Sequence, residues 1–359
     1  MRISRNVLFS LLASIIAGLP ATAQTTWSFA VSGDSRNCGD VVMPAIAKSA
    51  RAQNVAFYWH LGDYRAIYRF DQDYWQTHQT PDPRAMNIAA YQQNAWGDFI
   101  TNQLKPFGST PVFLAIGNHE LIPPKTRAEY LVEFADWLDS PTIREQRSRD
   151  NAEDRAVRSY YHWIKDGIDF ITLDNASPDE FDSAQLNWVK SVFTRDAEDT
   201  SVRALVVGMH EALPQSISAD HSMDQSAQGE TSGRQVYQWL LAFKQKSAKP
   251  VYVLASHSHF FMEGIFNTDF WHQNGGVLLG WIIGTAGAER YALPPNSSGA
   301  KAAKTHVYGY MTGTVTQSND DPIHFTFHEL AESDVPQDVV ARYTSTLVHD
   351  CWVNNPPTK

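Results

Sequence analysis

The chain has 359 residues, 43% hydrophobic and 19% charged, which excludes a disordered or low-complexity protein and leaves enough apolar material for a large core. Its formal net charge of −10 gives no hold on a nucleic-acid backbone, which disfavours a general DNA or RNA binder but does not exclude a single nucleotide as ligand.

At the N-terminus, Arg2 and Arg5 precede the apolar run 7–19 and the small-residue site Ala21-Thr22-Ala23, the pattern of a secretory signal peptide over 1–23. That run is too short for the roughly 18 to 20 apolar residues of a membrane helix, and no later stretch reaches that length. The expectation is a secreted or periplasmic protein with no membrane span. Residues 24–359 would form one domain with surface insertions at about 64–85, 140–158 and 214–233. In an oxidising compartment the two cysteines, Cys38 and Cys351, pair most simply as a disulfide. The alternative is Cys38 as a thiolate ligand.

Residues 27–32 read as a short buried strand running into Gly33-Asp34-Ser35-Arg36. Asp40 then caps a helix to about residue 52, with Val41, Ala45 and Ile46 as its apolar face. The strand 54–61 ends in Gly62-Asp63-Tyr64, and the polar, aromatic-rich stretch to about 84 reads as a loop near the site. A helix over 86–104 and the strand 111–116 follow, and that strand delivers Gly117-Asn118-His119-Glu120. Beyond a helix at 126–138, the charge-dense passage 144–158 reads as a solvated surface excursion.

Residues 160–164 and 168–173 form a hairpin about Lys165-Asp166-Gly167. Residues 183–193 are amphipathic, with Asp179, Glu180 and Asp182 suited to a helix N-terminus. The strand 202–207 ends in Gly208-Met209-His210, and 215–233 lacks a period and reads as an exposed loop. A helix at 235–246 leads to the strand 251–255, which delivers Ser256-His257-Ser258-His259. Further strands are expected at 277–283, 306–315 and 323–327. Strands alternating with helices predict an α/β architecture. In such folds ligands sit beyond the carboxyl ends of strands, where all these polar triplets fall.

Alone, each triplet is ordinary: a Gly-Asp pair is turn chemistry, and a histidine after a strand is a hydrogen-bonded loop residue. Five such endings in order carry more. Asp34, Asp63, Asn118, His210, His257 and His259 make a mixed oxygen and nitrogen donor set that suits zinc, manganese or iron. Six ligands fit two ions sharing a carboxylate, about 3.5 to 4 Å apart, clamping a phosphoryl group.

The ordered set Gly33-Asp34, Gly62-Asp63, Gly117-Asn118-His119-Glu120, His210 and His257-Ser258-His259 resembles the calcineurin-like metallophosphoesterase superfamily, which includes purple acid phosphatases. The resemblance implies a four-layer α/β/β/α sandwich, two mixed sheets flanked by helices, with a dinuclear site at one edge. It assigns Asp63 to bridge the ions, Asp34 and His259 to the first, and Asn118, His210 and His257 to the second. His119 becomes the general acid, with Glu120 orienting it. The implied reaction is hydrolysis of a small phosphate ester by a metal-bound hydroxide. Alternatives are a phosphodiesterase, a nucleotide pyrophosphatase, or a non-catalytic metal or phosphate binder.

Three positions depart from the family pattern: Arg36 stands where most members have a histidine ligand, Ala66 where purple acid phosphatases supply a tyrosine three residues after the bridging Asp, and Ser256 where members usually have glycine. Three readings stay open. Water, Asn37, Tyr64 or His60 completes the first ion's shell; that ion binds weakly; or the site is mononuclear with Arg36 supplying part of its charge. Arg36 also suits a bidentate grip on phosphate.

Overall fold

The computed structural model describes residues 26–78, 87–176 and 180–353. The expected signal peptide, Asp179 and part of the first expected insertion lie outside them. In chain order the strands are β1 (Trp27–Ser32), β2 (Tyr58–His60), β3 (Val112–Leu114), β4 (Tyr161–Lys165), β5 (Ile168–Thr172), β6 (Ala204–Gly208), β7 (Val251–Ala255), β8 (Phe261–Glu263), β9 (Leu279–Ile283), β10 (Ala302–Lys304), β11 (Tyr308–Val315) and β12 (Ile323–Leu330). The helices are α1 (Gly39–Ala52), α2 (Gln72–His78), α3 (Ile88–Phe99), α4 (Arg127–Glu133), α5 (Ala135–Leu138), α6 (Pro141–Asp150), α7 (Ser183–Glu198), α8 (Ala227–Ser247), α9 (Asp269–Gln273) and α10 (Gln337–Val353).

Two mixed sheets form, in the orders β12-β11-β1-β2-β3 and β10-β8-β9-β7-β6-β5-β4. The strands that carry chemistry are parallel neighbours: β1, β2 and β3 in one sheet, β6 and β7 in the other. Period-two alternation sorts their side chains into layers. Val206 and Tyr252 join Phe29, Trp59, Phe113 and Trp163 between the sheets. Leu205 and Val253 face the opposite way, against Val189 of α7 and Leu240 of α8. On the outer face of the first sheet, Ala30 and Tyr58 pack with Val42 and Ile46 of α1 and Leu347 of α10. Four layers result, helix, sheet, sheet, helix, as the resemblance implied. Strands covered on both faces read as unbroken apolar runs because neither side meets water. The Cys38–Cys351 disulfide ties α10 to the start of α1.

Three local expectations are corrected. Asp40 does not cap α1, which begins at Gly39 with Cys38 before it and no side-chain cap; the Asp40 carboxylate turns inward to Arg65. The stretch after Tyr64 is not an open loop: it contains α2, and Arg65, Asp71 and Asp73 are fully buried. Residues 215–233 are not all loop either, since α8 begins at Ala227, capped by the Ser226 hydroxyl accepting from Gly229 N at 2.8 Å. The buried positions Gly229, Ser232, Gly233 and Val236 do follow a helical stripe, but small residues carry most of it, so apolar periodicity does not reveal it. The charge-dense passage begins as α6, whose faces are largely exposed apart from Ile143 and Gln146.

Candidate metal centre

The parallel order of β1, β2 and β3 places Asp34, Asp63 and Asn118 side by side, and β6 and β7 bring His210 and His257 from the facing sheet. Three of these residues sit in the left-handed region, Asp34 at φ 59°, Asp63 at φ 62° and His257 at φ 65°. Non-glycine residues adopt this conformation only where surrounding structure enforces it, and such strain gathers at functional sites. Gly117 is required: a Cβ there would lie 2.3 Å from Asp63 Oδ1 and 2.4 Å from Asp63 N.

One compact donor set emerges. His210 Nε2 lies 3.0 Å from Asn118 Oδ1, 3.0 Å from His257 Nδ1 and 3.3 Å from Asp63 Oδ1. Donors around one tetrahedral ion sit about 3.4 Å apart, given bonds near 2.0 to 2.2 Å. His210 Nδ1 donates to the Leu61 carbonyl at 2.9 Å, which leaves Nε2 to face the cluster. Burial works against charge on His210, yet Asp63 and Asp34 raise it to about 10, the sign of a site short of positive charge. Asp63, His210 and His257 form the sole group of three acidic, His or Cys residues, among those described, whose donor atoms lie within 4.8 Å of one another. These residues and Asn118 fit the second ion.

The first position differs. Asp34 Oδ2 accepts from the Ser256 hydroxyl and, at 2.7 Å, from His257 N. Asp34 Oδ1 is buried without a hydrogen-bond partner, 3.3 Å from His259 Nε2. Between this pair and Asp63 sits the Arg36 guanidinium. Its Nη2 donates to His259 Nε2 at 3.1 Å, its Nη1 to Glu289 Oε2 at 3.0 Å, and its Nε is 3.7 Å from Asp63 Oδ2. Of the candidate replacements for the missing ligand, Tyr64 and Asn37 are engaged elsewhere, and His60 keeps one ring nitrogen, Nε2, buried without a partner. The Tyr64 hydroxyl donates to Ala115 O and meets Tyr130; Asn37 Oδ1 accepts from Gln72 N; and His60 Nδ1 accepts from Gly62 N, its ring packed against Tyr64 and Phe99.

His119 lies at the mouth. Its Nδ1 donates to Ala66 O at 2.8 Å, so Nε2 faces Asp63 Oδ2 at 3.6 Å, beside the half-exposed Tyr68 ring. Burial lowers its imidazole to about 4 against the pull of Asp63. Glu120 is buried and accepts from the backbone N–H groups of Asp63, Tyr64 and Gly117 at 2.8 to 2.9 Å. It fastens the Asp63 turn to the Asn118 turn, and its hydrogen bonds go to backbone rather than to the His119 ring.

Sequence reasoning missed Glu289, Tyr291 and Arg69. Arg69 pairs with Glu289, and Tyr291 stacks on His259 at 3.9 Å. The available hint was position: both Glu289 and Tyr291 follow the small-residue turn Gly284-Thr285-Ala286-Gly287, which leaves β9 as the other site turns leave their strands. A separate cavity of about 250 Å³, lined by Arg147, Asp150, His162, Trp188 and Arg195, contains none of the expected site residues.

The family model for calcineurin-like phosphoesterase matches residues 29–261. No curated protein matches the chain. Among solved structures, the chain is similar to purple acid phosphatase PPD1 from yellow lupin (Lupinus luteus) seeds, with TM-score 0.55 and 15% identity over 94% of this chain and 57% of that one. It therefore spans little more than half the length of the lupin protein. It is also similar to PhoD, with TM-score 0.52 and 13% identity over 85% of this chain and 72% of that one. A dimetal phosphatase from Danio rerio gives TM-score 0.52 and 13% identity over 85% of this chain and 98% of that one. At these identities the structures show a shared fold.

Proposed function

Because the chain belongs to the calcineurin-like phosphoesterase family, we propose that it is an exported hydrolase of a small, soluble phosphate ester, a monoester in preference to a diester. The convergence of Asp63, Asn118, His210 and His257 on one point carries this reading. These four residues would hold a divalent or trivalent ion, manganese, zinc or iron, which when bound supplies a Lewis acid for the phosphoryl oxygens and activates water.

The remaining work falls to the protein's own groups. Arg36 presents a fixed guanidinium, the geometry that grips phosphate oxygens. His119 is held by its Nδ1–H bond to Ala66, so Nε2 is the atom that passes a proton to the leaving oxygen. An arriving phosphate dianion sets negative charge beside this ring and favours its imidazolium form. Glu120 keeps the Asp63 and Asn118 turns in register. Tyr68, half-exposed beside His119, borders the leaving-group side.

Export is supported by the N-terminal pattern at 1–23 and by the Cys38–Cys351 bridge, since disulfides persist in oxidising compartments. Among the described residues, no helix is long and apolar enough to cross a membrane. The net charge of −10 favours a small substrate over a polyanion. The rival reading, a binder without turnover, is favoured by the position of Arg36 among the first-site residues.

The test is hydrolysis of p-nitrophenyl phosphate and of its bis ester with manganese, zinc or iron added. Turnover of the monoester above the diester is expected. Folded protein that turns over neither ester with any of the metals sinks the enzyme reading.

A further inference from the structure

We infer that the protein carries one ion rather than two, the first position being held permanently by the Arg36 guanidinium. The inference rests on the phosphoesterase reading of this site. Its evidence is that two of the chain's departures from the family pattern, Arg36 and Ser256, act on the two ligands that the resemblance reserves for the first ion.

Arg36 takes one. The His259 Nδ1–H donates to the Glu289 carbonyl at 2.5 Å, which leaves Nε2 as the ring's acceptor, and that lone pair receives the Arg36 N–H at 3.1 Å. Ser256 acts on the other, its hydroxyl and the His257 N–H together occupying Asp34 Oδ2. The guanidinium also separates Asp34 and His259 from Asp63, so these three do not form a compact donor group as Asp63, His210 and His257 do.

Arg36 is not a mobile side chain that an ion would push aside. It is 5% exposed, its Nη1 is held by Glu289 at 3.0 Å, and Glu289 is held in turn by Arg69. Tyr291 covers the same corner, stacked on His259 with its hydroxyl 3.5 Å from Arg36 Nη2. Seating an ion there would break these bonds and set its charge beside a guanidinium that stays protonated.

Charge balance agrees. The carboxylates of Asp63 and Glu289 face the guanidinium groups of Arg36 and Arg69, so part of the charge that a second ion would neutralise is already met. The unpartnered Arg36 Nε and Asp63 Oδ2 lie 3.7 Å apart, beside His119. A phosphoryl group would be clamped between one ion and one guanidinium.

The test counts ions and is independent of turnover. The full mature chain is dialysed to equilibrium against Mn²⁺ and, separately, Zn²⁺, and ions per chain are measured by mass spectrometry. The Mn²⁺ sample is also examined by electron paramagnetic resonance. One ion and an uncoupled spectrum are expected, rising to two ions and an exchange-coupled spectrum in Arg36→His. Arg36→Ala, which frees His259 Nε2 without adding a ligand, replaces it if thermal melting shows that Arg36→His is unfolded, with a second ion again expected. Two ions in the natural chain would overturn the inference, as would a folded Arg36 variant that still binds one. Failure to hydrolyse phosphate esters at a stoichiometry of one would instead sink the enzyme reading alone.

Discussion

Asp63 and Arg65 are two residues apart, yet they belong to buried charge clusters of opposite kind. Around Arg65 gather Asp40, Asp71, Asp73 and Asp98, four carboxylates to one guanidinium. All eight of their oxygens accept from the protein. Asp40 receives Arg65, Gln103, Asn102 and Tyr343; Asp71 receives Asn37 N, Ala66 N and Tyr91; Asp73 receives Arg65, Tyr74 N and Asp40 N; Asp98 receives Asn102 and Arg65. In the strand-end cluster, Asp34 Oδ1 and Asp63 Oδ2 accept nothing. Acidic density therefore does not mark the ion site. What separates the strand-end cluster from the Arg65 aspartates is its unmet carboxylate oxygens, each costly to bury unless a ligand satisfies it.

The comparison breaks if function and stability fail to separate between the clusters. The largest effect belongs to the open one: His119→Ala should lower kcat by about 10²- to 10⁴-fold, the range for a lost general acid. The ion should remain, because the His119 ring is outside the compact donor group; its loss, read by dialysis, would show the roles are misassigned. Asp63→Asn should instead release the ion, with little change in the urea midpoint.

In the closed cluster the reverse is expected. Arg65→Met leaves buried carboxylates uncompensated and should cost about 3 to 5 kcal/mol of stability, read by urea denaturation. Any folded fraction should still bind the ion. Undiminished stability would mean that the aspartates, not the arginine, hold that network.

The Cys38–Cys351 bridge closes a separation of 313 residues and joins α10 to the helix that carries Asp40. Its removal in Cys38→Ser/Cys351→Ser should cost about 2 to 4 kcal/mol. Ion stoichiometry should be unaffected.

The smallest effect sharpens the contrast with a third buried group. His162 lies between Asp169 and Asp150, which raise it to about 10 despite burial. A histidine raised above its unfolded value contributes stability that is fully present below about pH 6.5 and is lost as pH rises toward 10. Asp196, raised to about 9 by burial and Asp169, adds a loss of the same sign that begins lower, at about pH 4, and ends at about pH 9. The thermal midpoint should fall across that window, and His162→Gln should flatten the fall. An unchanged slope would place the titration elsewhere.

Much of the site was legible because strand ends are written plainly: an apolar run stops at a polar residue, and parallel strands deliver such residues to one edge. Asp34, Asp63, Asn118, His210, His257 and His259 were all named as candidates by that rule, and β1 was bounded correctly at Trp27 and Ser32. Helix α8 was shortened because glycine and serine carry its buried stripe, and the burial of Arg65 was invisible because its partners lie at Asp40, Asp73 and Asp98. Glu289 and Tyr291 escaped because no spacing rule links them to Arg36, 253 and 255 residues away.

By itself, then, the sequence determined the alternation of strands and helices and the residue types at the strand ends, since period and strand polarity are local properties, while the layer order followed from the family resemblance. Tertiary structure alone decided which atoms remain unpaired. The distance from Arg36 to His259, the Ser256 bond to Asp34 and the support from Glu289 are set by packing two sheets together.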